Sequence, residues 1–199
     1  MPKKDWTGNS EAPYVMAGAS NHSDEERVEH DYYATDPKAM EMLLEHETFN
    51  HDIWEPACGD GALCKILTKH GYNVLPSDII DRGYPGTHIS DFLKVNDVKM
   101  GVDIITNPPY KYVSEFILKA LKNTDRKVAM FCKIQLLESK KRWEQVFSKH
   151  PPARIYVFVK RMNCYRNNDQ SKKGSAICYA WFIWDKEYDD EPIIRWLNE

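Results

Sequence analysis

Apolar positions fall into short blocks along this chain, and the spacing within each block changes from helical to alternating and back. Behind Asp36-Pro37, residues Met40, Leu43 and Leu44 recur at helical spacing, and the Asp-Pro pair suits a helix start. A brief strand is expected at Asp52–Trp54, then a loop from Glu55 to Gly61, then a helix through Leu63, Ile66 and Leu67 that Gly71 closes as a cap. Tyr72–Leu75 predicts a second strand ending near Asp78, and Thr87–Ile89 a third that runs into Asp91-Phe92. Val102–Thr106 predicts a fourth strand, which stops at Asn107-Pro108-Pro109-Tyr110. Val113, Phe116, Ile117 and Leu121 mark the next helix, Lys127–Phe131 a fifth strand, and Glu138–Lys149 a basic amphipathic helix. Arg154–Val159 and Ile177–Trp184 predict the last two strands, separated by a polar, irregular, basic stretch at 160–176. In the last strand, alternation turns Trp181 and Ile183 to one face and Phe182 and Trp184 to the other, and both sets are expected in the core. The residues after it form an acidic tail.

Strands that alternate with helices argue for an α/β fold with a mostly parallel, seven-stranded sheet and helices on both faces. The two late strands, joined by a loop alone, imply one antiparallel member in the edge region. No internal repeat interrupts this pattern. Residues 1–30 mix Lys, Glu, Ser, Asn and Gly without periodicity and read as a flexible N-terminal arm. Residues 31–199 form a single domain, as a chain of 199 residues allows.

Composition changes the picture in two ways. With 42% hydrophobic and 29% charged residues the chain is that of a globular protein, and it has no apolar run long enough to span a membrane. Its N-terminus lacks a secretory signal, and five cysteines without paired spacing suit reduced thiols, so a cytoplasmic location is expected. Seven histidines without metal-ligand spacing predict no metal site. The net charge of −3 also conceals an asymmetry: residues 1–60 hold 4 Lys/Arg against 14 Asp/Glu, and residues 133–173 hold 11 against 3. A basic segment within an acidic chain suits a polyanion. Lys140, Lys141, Arg142, Lys160, Arg161, Arg166, Lys172 and Lys173 are its candidate nucleic-acid contacts, and 160–176 is the candidate substrate-recognition insert.

Two loops hold the chemistry, each at the carboxyl end of an expected strand, where open α/β sheets bind ligands. In the first, Glu55-Pro56-Ala57-Cys58-Gly59-Asp60-Gly61, the glycines admit a ligand close to the backbone. Cys64 stands where a dinucleotide fingerprint needs its third glycine, and no GKS or GKT follows. Glu55 beside the turn disfavours a pyrophosphate and favours an ammonium. A ligand without phosphates and with a positive charge fits, and S-adenosylmethionine meets both conditions. Asp78 is placed to accept from ribose hydroxyls, Asp91 to hold an adenine amine and Phe92 to stack on its ring. In the second loop, two prolines rigidify the backbone and remove N–H donors. The side-chain oxygen of Asn107 and the carbonyl of Pro108 are then fixed acceptors, with the Tyr110 ring two positions on. That set suits a planar molecule with an exocyclic NH₂ group.

On these residues the chain resembles the S-adenosylmethionine-dependent amino-methyltransferases with an Asn-Pro-Pro-Tyr motif, and within them the small phage or prophage N6-adenine DNA methyltransferases. The matching stretches are Asp31 to Pro37, Glu55 to Gly61, Asp78, Asp91-Phe92 and Asn107 to Tyr110. The resemblance implies a Rossmann-like class I methyltransferase fold and methyl transfer to the exocyclic amine of adenine in DNA. It implies that Tyr33, Thr35 and Pro37 line the methionine end of the cofactor, with Asp36 splitting the usual Thr-Pro pair. Glu55, Ala57 and Gly59 would contact its amino acid moiety, Asp78 the ribose, and Asp91 and Phe92 the adenine. Asn107, Pro108, Pro109 and Tyr110 would form the catalytic loop, with Asn107 also next to the cofactor. Two other enzyme readings keep this site and change the acceptor to an RNA base or a protein glutamine amide. A third reading is a cofactor-binding regulatory module without turnover.

Overall fold

The structure, a computed structural model, describes residues 33–97, 99–162, 164–166 and 177–198. Eight strands form the main sheet: β2 (Asp52–Glu55), β3 (Asn73–Asp78), β4 (His88–Ile89), β5 (Asp103–Thr106), β6 (Lys127–Lys133), β7 (Arg154–Phe158), β9 (Tyr179–Asp185) and β10 (Ile193–Leu197). Their order across the sheet is β10-β7-β9-β6-β5-β2-β3-β4. All pairs are parallel except the two made by β9, which lies antiparallel between β6 and β7. A separate two-stranded ribbon joins β1 (Tyr33–Thr35) to β8 (Cys164–Arg166), antiparallel.

The expected α/β architecture is present, with one strand more in the main sheet than the pattern gave and the β1–β8 ribbon besides. That strand is β10, within the segment that sequence alone reads as an acidic tail. It adds to β7 and becomes the outer member on this side, and because β9 inserts between β7 and β6 the antiparallel strand lies two places in from the edge. Only Leu197 of its five residues is buried, so the burial alternation that reveals a strand is weak there.

Helices cover both faces. α1 (Pro37–Leu44) starts as its sequence predicts: the Asp36 carboxylate accepts from the Lys38 N–H at 3.0 Å, and Pro37 occupies the first turn. With α2 (Ala62–Lys69) it covers Ile53, Ile105, Phe131, Trp181 and Ile183. On the other face α3 (Val113–Asn123) covers Ile104, Val128, Met130, Phe182 and Trp184. Trp181 and Ile183 thus lie on the face opposite Phe182 and Trp184, as alternation requires. The basic helix is shorter than expected. Lys140–Arg142 forms one helical turn (α4) that continues as a π-helical turn, Trp143–Phe147. The Arg142 guanidinium donates to the carbonyls of Gln135, Leu136 and Glu138, tying this turn to the preceding 3₁₀ segment.

Candidate active site

Because β2, β3, β4, β5, β6 and β7 run parallel, their carboxyl ends share one edge of the sheet. Glu55, Asp78, Ile89, Thr106 and Lys133 end five of these strands there. The two chemistry-bearing loops leave from adjacent strands, β2 and β5, at this edge. Sequence spacing alone left open whether they would meet.

The glycine loop is held from β3. Both Asp78 carboxylate oxygens accept backbone N–H bonds, from Gly59 at 2.8 Å and Ile80 at 3.1 Å, and Cys58 N–H donates to the Ser77 carbonyl at 3.0 Å. Gly59 and Gly61 have φ of 56° and 80°, the left-handed region that side chains disfavour. Gly61 caps α2, and a Cβ there would lie 2.0 Å from the Tyr84 ring, so that ring packs directly on the loop. Glu55 is 1% exposed; its Oε1 accepts from Ala57 N–H at 3.2 Å, and its Oε2 has no partner among the described residues. Burial holds its carboxyl well above the usual range. The Thr106 hydroxyl opposes this shift, and the nearby Cys58 and Asp78 add to it.

The second loop converges with the β1–β8 ribbon. Asn107 Nδ2 donates to the Tyr33 carbonyl at 2.9 Å, the Thr35 hydroxyl at 3.0 Å and Cys164 Sγ at 3.5 Å. Its Oδ1 is buried with no partner among the described residues. The Pro109 carbonyl is engaged by Tyr112 N–H at 2.9 Å. Tyr110 packs at 5.4 Å, tilted, against Tyr33 and at 6.3 Å against Tyr179, with its hydroxyl 3.5 Å from Cys164 Sγ. The Lys133 ammonium sits 4.7 Å over the same ring. Burial raises the Tyr110 pKa well above the ordinary phenol value and lowers that of Lys133.

Several expected contacts have other surroundings. Phe92 is 2% exposed, its ring 5.1 Å from Trp54 and 5.0 Å from Phe116, so it packs in the core. Asp91 closes its own turn through Leu93 N–H and pairs with Lys94. Pro37 is an exposed first-turn residue of α1. Lys140, Lys141, Lys160 and Arg161 are exposed. Lys172, Lys173 and the side chain of Arg166 lie outside the described residues, as does most of 160–176 and all of 1–30. Four side chains at this edge were not anticipated: Ile79, half-exposed directly after Asp78, and Tyr84, Lys133 and Cys164. An apolar residue following a strand-end acid is the one signal that could have revealed Ile79.

Among the described residues, no three His, Cys, Asp or Glu side chains cluster to hold a metal, and no helix is long and apolar enough to cross a membrane. All five cysteines are free thiols.

No family model and no curated protein matches the sequence. Solved structures do match. A Listeria monocytogenes protein described as a class I S-adenosylmethionine-dependent methyltransferase aligns with TM-score 0.54 and 14% identity, over 82% of this chain and 63% of its own. A Pyrococcus horikoshii protein described as an RNA methyltransferase aligns with TM-score 0.52 and 17% identity, over 75% of this chain and 79% of its own. A Vibrio vulnificus protein described as the modification subunit of a type I restriction enzyme aligns with TM-score 0.56 and 12% identity, over 88% of this chain and 49% of its own. This chain therefore spans less than two thirds of the Listeria and Vibrio proteins. The likeness shows the fold, a Rossmann-like class I methyltransferase fold with eight strands in its sheet.

Proposed function

We propose that the protein transfers a methyl group from S-adenosylmethionine to the exocyclic amine of adenine in DNA. The observation that carries this reading is the Asn107 amide: both N–H groups are engaged, and Oδ1 is left as a buried acceptor at the ligand-binding edge of the sheet. An unsatisfied buried acceptor is costly and needs an explanation. A donor arriving with the acceptor base supplies one.

The residues present fit the cofactor as well. Glu55 Oε2 is a second orphaned oxygen, suited to an ammonium, and Gly59, in the left-handed region, follows it in the same loop without a side chain. Glu55, Ala57 and Gly59 would hold the amino acid end and Asp78 the ribose. Tyr33, Thr35 and Pro37 at the methionine end, and Asp91 and Phe92 at the adenine, belong to the same reading from resemblance. Their geometry supports it less, because Thr35 and Phe92 are buried. Bound there, S-adenosylmethionine supplies an electrophilic methyl carbon.

The chain's own residues do the rest. Asn107 Oδ1 and the Pro108 carbonyl accept hydrogen bonds from the amine, which draws its lone pair out of conjugation with the ring. No strong base is required, and Tyr110, with its raised pKa, stays a neutral stacking surface. Orientation of this kind supplies roughly 7–11 kcal/mol of barrier reduction. A base in a duplex must first be flipped out, at about a few kcal/mol. Lys140, Lys141, Lys160 and Arg161 would hold the backbone meanwhile, joined by Arg166, Lys172 and Lys173. Arg142 contributes charge there while its guanidinium braces α4. The Asn-Pro-Pro-Tyr loop serves either acceptor, and the basic residues favour nucleic acid over a protein amide.

The test is transfer of labelled methyl to DNA, RNA and protein, followed by mass spectrometry of the nucleosides. N6-methyladenine in DNA is the expected product, and label in RNA or glutamine alone would replace this reading. Asn107→Ala should abolish transfer while cofactor affinity stays within about threefold. Equal loss of both would remove the catalytic role of this loop.

A further inference from the structure

An asparagine amide is nearly symmetric in shape, so what surrounds it decides which end is the acceptor. Around Asn107 that decision is made by the β1–β8 ribbon. A backbone carbonyl only accepts, so Tyr33 O fixes Nδ2 on its side. The Thr35 hydroxyl takes the second proton, and Cys164 Sγ lies 3.5 Å away as a weaker partner. The ribbon's register places Thr35 directly opposite Cys164, and Tyr33 two positions before Thr35 on the same strand. Three segments distant in sequence, at 33–35, 107 and 164, thus meet on one amide. Thr35 is 3% exposed, and its β-branched side chain has little rotamer freedom, so its oxygen is held in place. Donation from both N–H groups also polarises the amide, which makes Oδ1 the stronger acceptor.

We infer that the β1–β8 ribbon is a positioning clamp for the Asn107 amide, and that Thr35 is a positioning residue acting through Asn107 rather than a cofactor contact. This rests on the reading of Asn107 Oδ1 as the acceptor for the substrate amine. Without the Thr35 hydroxyl, one Nδ2 proton is stranded, the amide turns more freely, and Oδ1 is no longer aimed. Thr35→Val removes the hydroxyl and keeps the shape, so the core is not emptied. Thr35→Ser restores the hydroxyl without the methyl group.

The experiment reads three quantities in wild type and both variants: kcat for methyl transfer, affinity for S-adenosylmethionine by calorimetry, and hydrogen exchange of the Asn107 side-chain NH₂ by ¹⁵N NMR. Asn107→Ala assigns the NH₂ signals. The clamp predicts that Thr35→Val lowers kcat about tenfold, with cofactor affinity within about threefold and faster NH₂ exchange. Thr35→Ser should stay near wild type in all three. Weakened cofactor binding at unchanged kcat would make Thr35 a cofactor contact and overturn the inference, as would NH₂ exchange that Thr35→Val leaves unaltered. The NMR arm also separates the two claims. If Thr35→Val speeds NH₂ exchange and wild type methylates no acceptor, the clamp stands and the proposed function fails.

Discussion

At the scale of single residues, Glu55 shows how burial and chemistry interact. An ionised carboxylate at 1% exposure has lost its water, so desolvation drives its pKa up, and the neighbouring Cys58 and Asp78 push the same way against the Thr106 hydroxyl. Since the folded-state value lies above the unfolded one, the folded protein holds the extra proton. Its contribution to stability is full below the unfolded pKa and declines as pH rises through the folded one. An ammonium beside Glu55 favours the carboxylate, so cofactor binding should expel that proton. Affinity for S-adenosylmethionine is therefore expected to rise with pH above the ordinary carboxylate range, and Glu55→Gln should flatten the slope. Calorimetry in buffers of different ionisation enthalpy would count the proton released. A wild-type affinity indifferent to pH in that window would separate Glu55 from the ligand.

At the scale of elements, the glycine loop joins the ends of β2 and β3 to α2, and Tyr84 packs closely on it. Gly61 needs φ of 80° and also lies under the Tyr84 ring, whereas Gly71, with φ of 86°, has nothing within 4 Å of its missing Cβ. The two positions separate backbone strain from packing. Gly71→Ala should cost about 1 kcal/mol, the penalty for a side chain in the left-handed region. Gly61→Ala should cost at least about twice that, because it must also move Tyr84. Urea denaturation measures both, and equal losses would mean that Tyr84 does not pack on the loop. Elements of this kind were legible wherever apolar spacing was sustained, as in α3, β6 and β9. The ends of β2 and β5 were legible too, since Glu55 and Asn107 each precede a turn rich in Gly or Pro. Other elements gave too little signal. β1 and β8 have three residues each, less than two periods of alternation, and pair between segments far apart in the chain, Tyr33–Thr35 with Cys164–Arg166. β10 exposes Ile194 and Trp196, so its apolar residues do not sort onto one face. Phe92 read as a stacking ring because sequence shows an aromatic after an acid, and only packing shows that Trp54 and Phe116 already cover it. Thr35 is a cofactor contact by resemblance alone, and nothing in its sequence neighbourhood signals its hydrogen bond with Asn107.

At the scale of the whole molecule, the two edges of the sheet do different work. The carboxyl edge holds the orphaned oxygens of the site, and the amino edge holds a buried ion network that ties the chain after α1 to β6, β7 and β9. Glu47 accepts from Arg154, from the Tyr156 hydroxyl at 2.8 Å and from Lys127 at 3.0 Å, and Asp185 closes the network on Arg154 at 2.7 Å. Desolvation alone would raise the Glu47 pKa, but the bonds from Arg154, Tyr156 and Lys127 outweigh it and hold the carboxyl below its ordinary value. Removing one partner of such a group strands the others, and Glu47→Ala should lower stability by about 3 kcal/mol at neutral pH. Arg154 keeps Asp185 in the variant, which limits the loss. Because the folded-state pKa is depressed, this stabilisation is present above the unfolded carboxylate value and disappears as pH falls through the folded one. The gap between wild type and variant, read from urea midpoints, should therefore narrow below about pH 4. Methyl transfer per folded molecule should not change, since the network lies a full strand length from Asn107. A gap that stays constant down to acid pH would show that the lost stability came from packing and not from the charge, and a drop in transfer by the folded variant would show that the two edges are coupled.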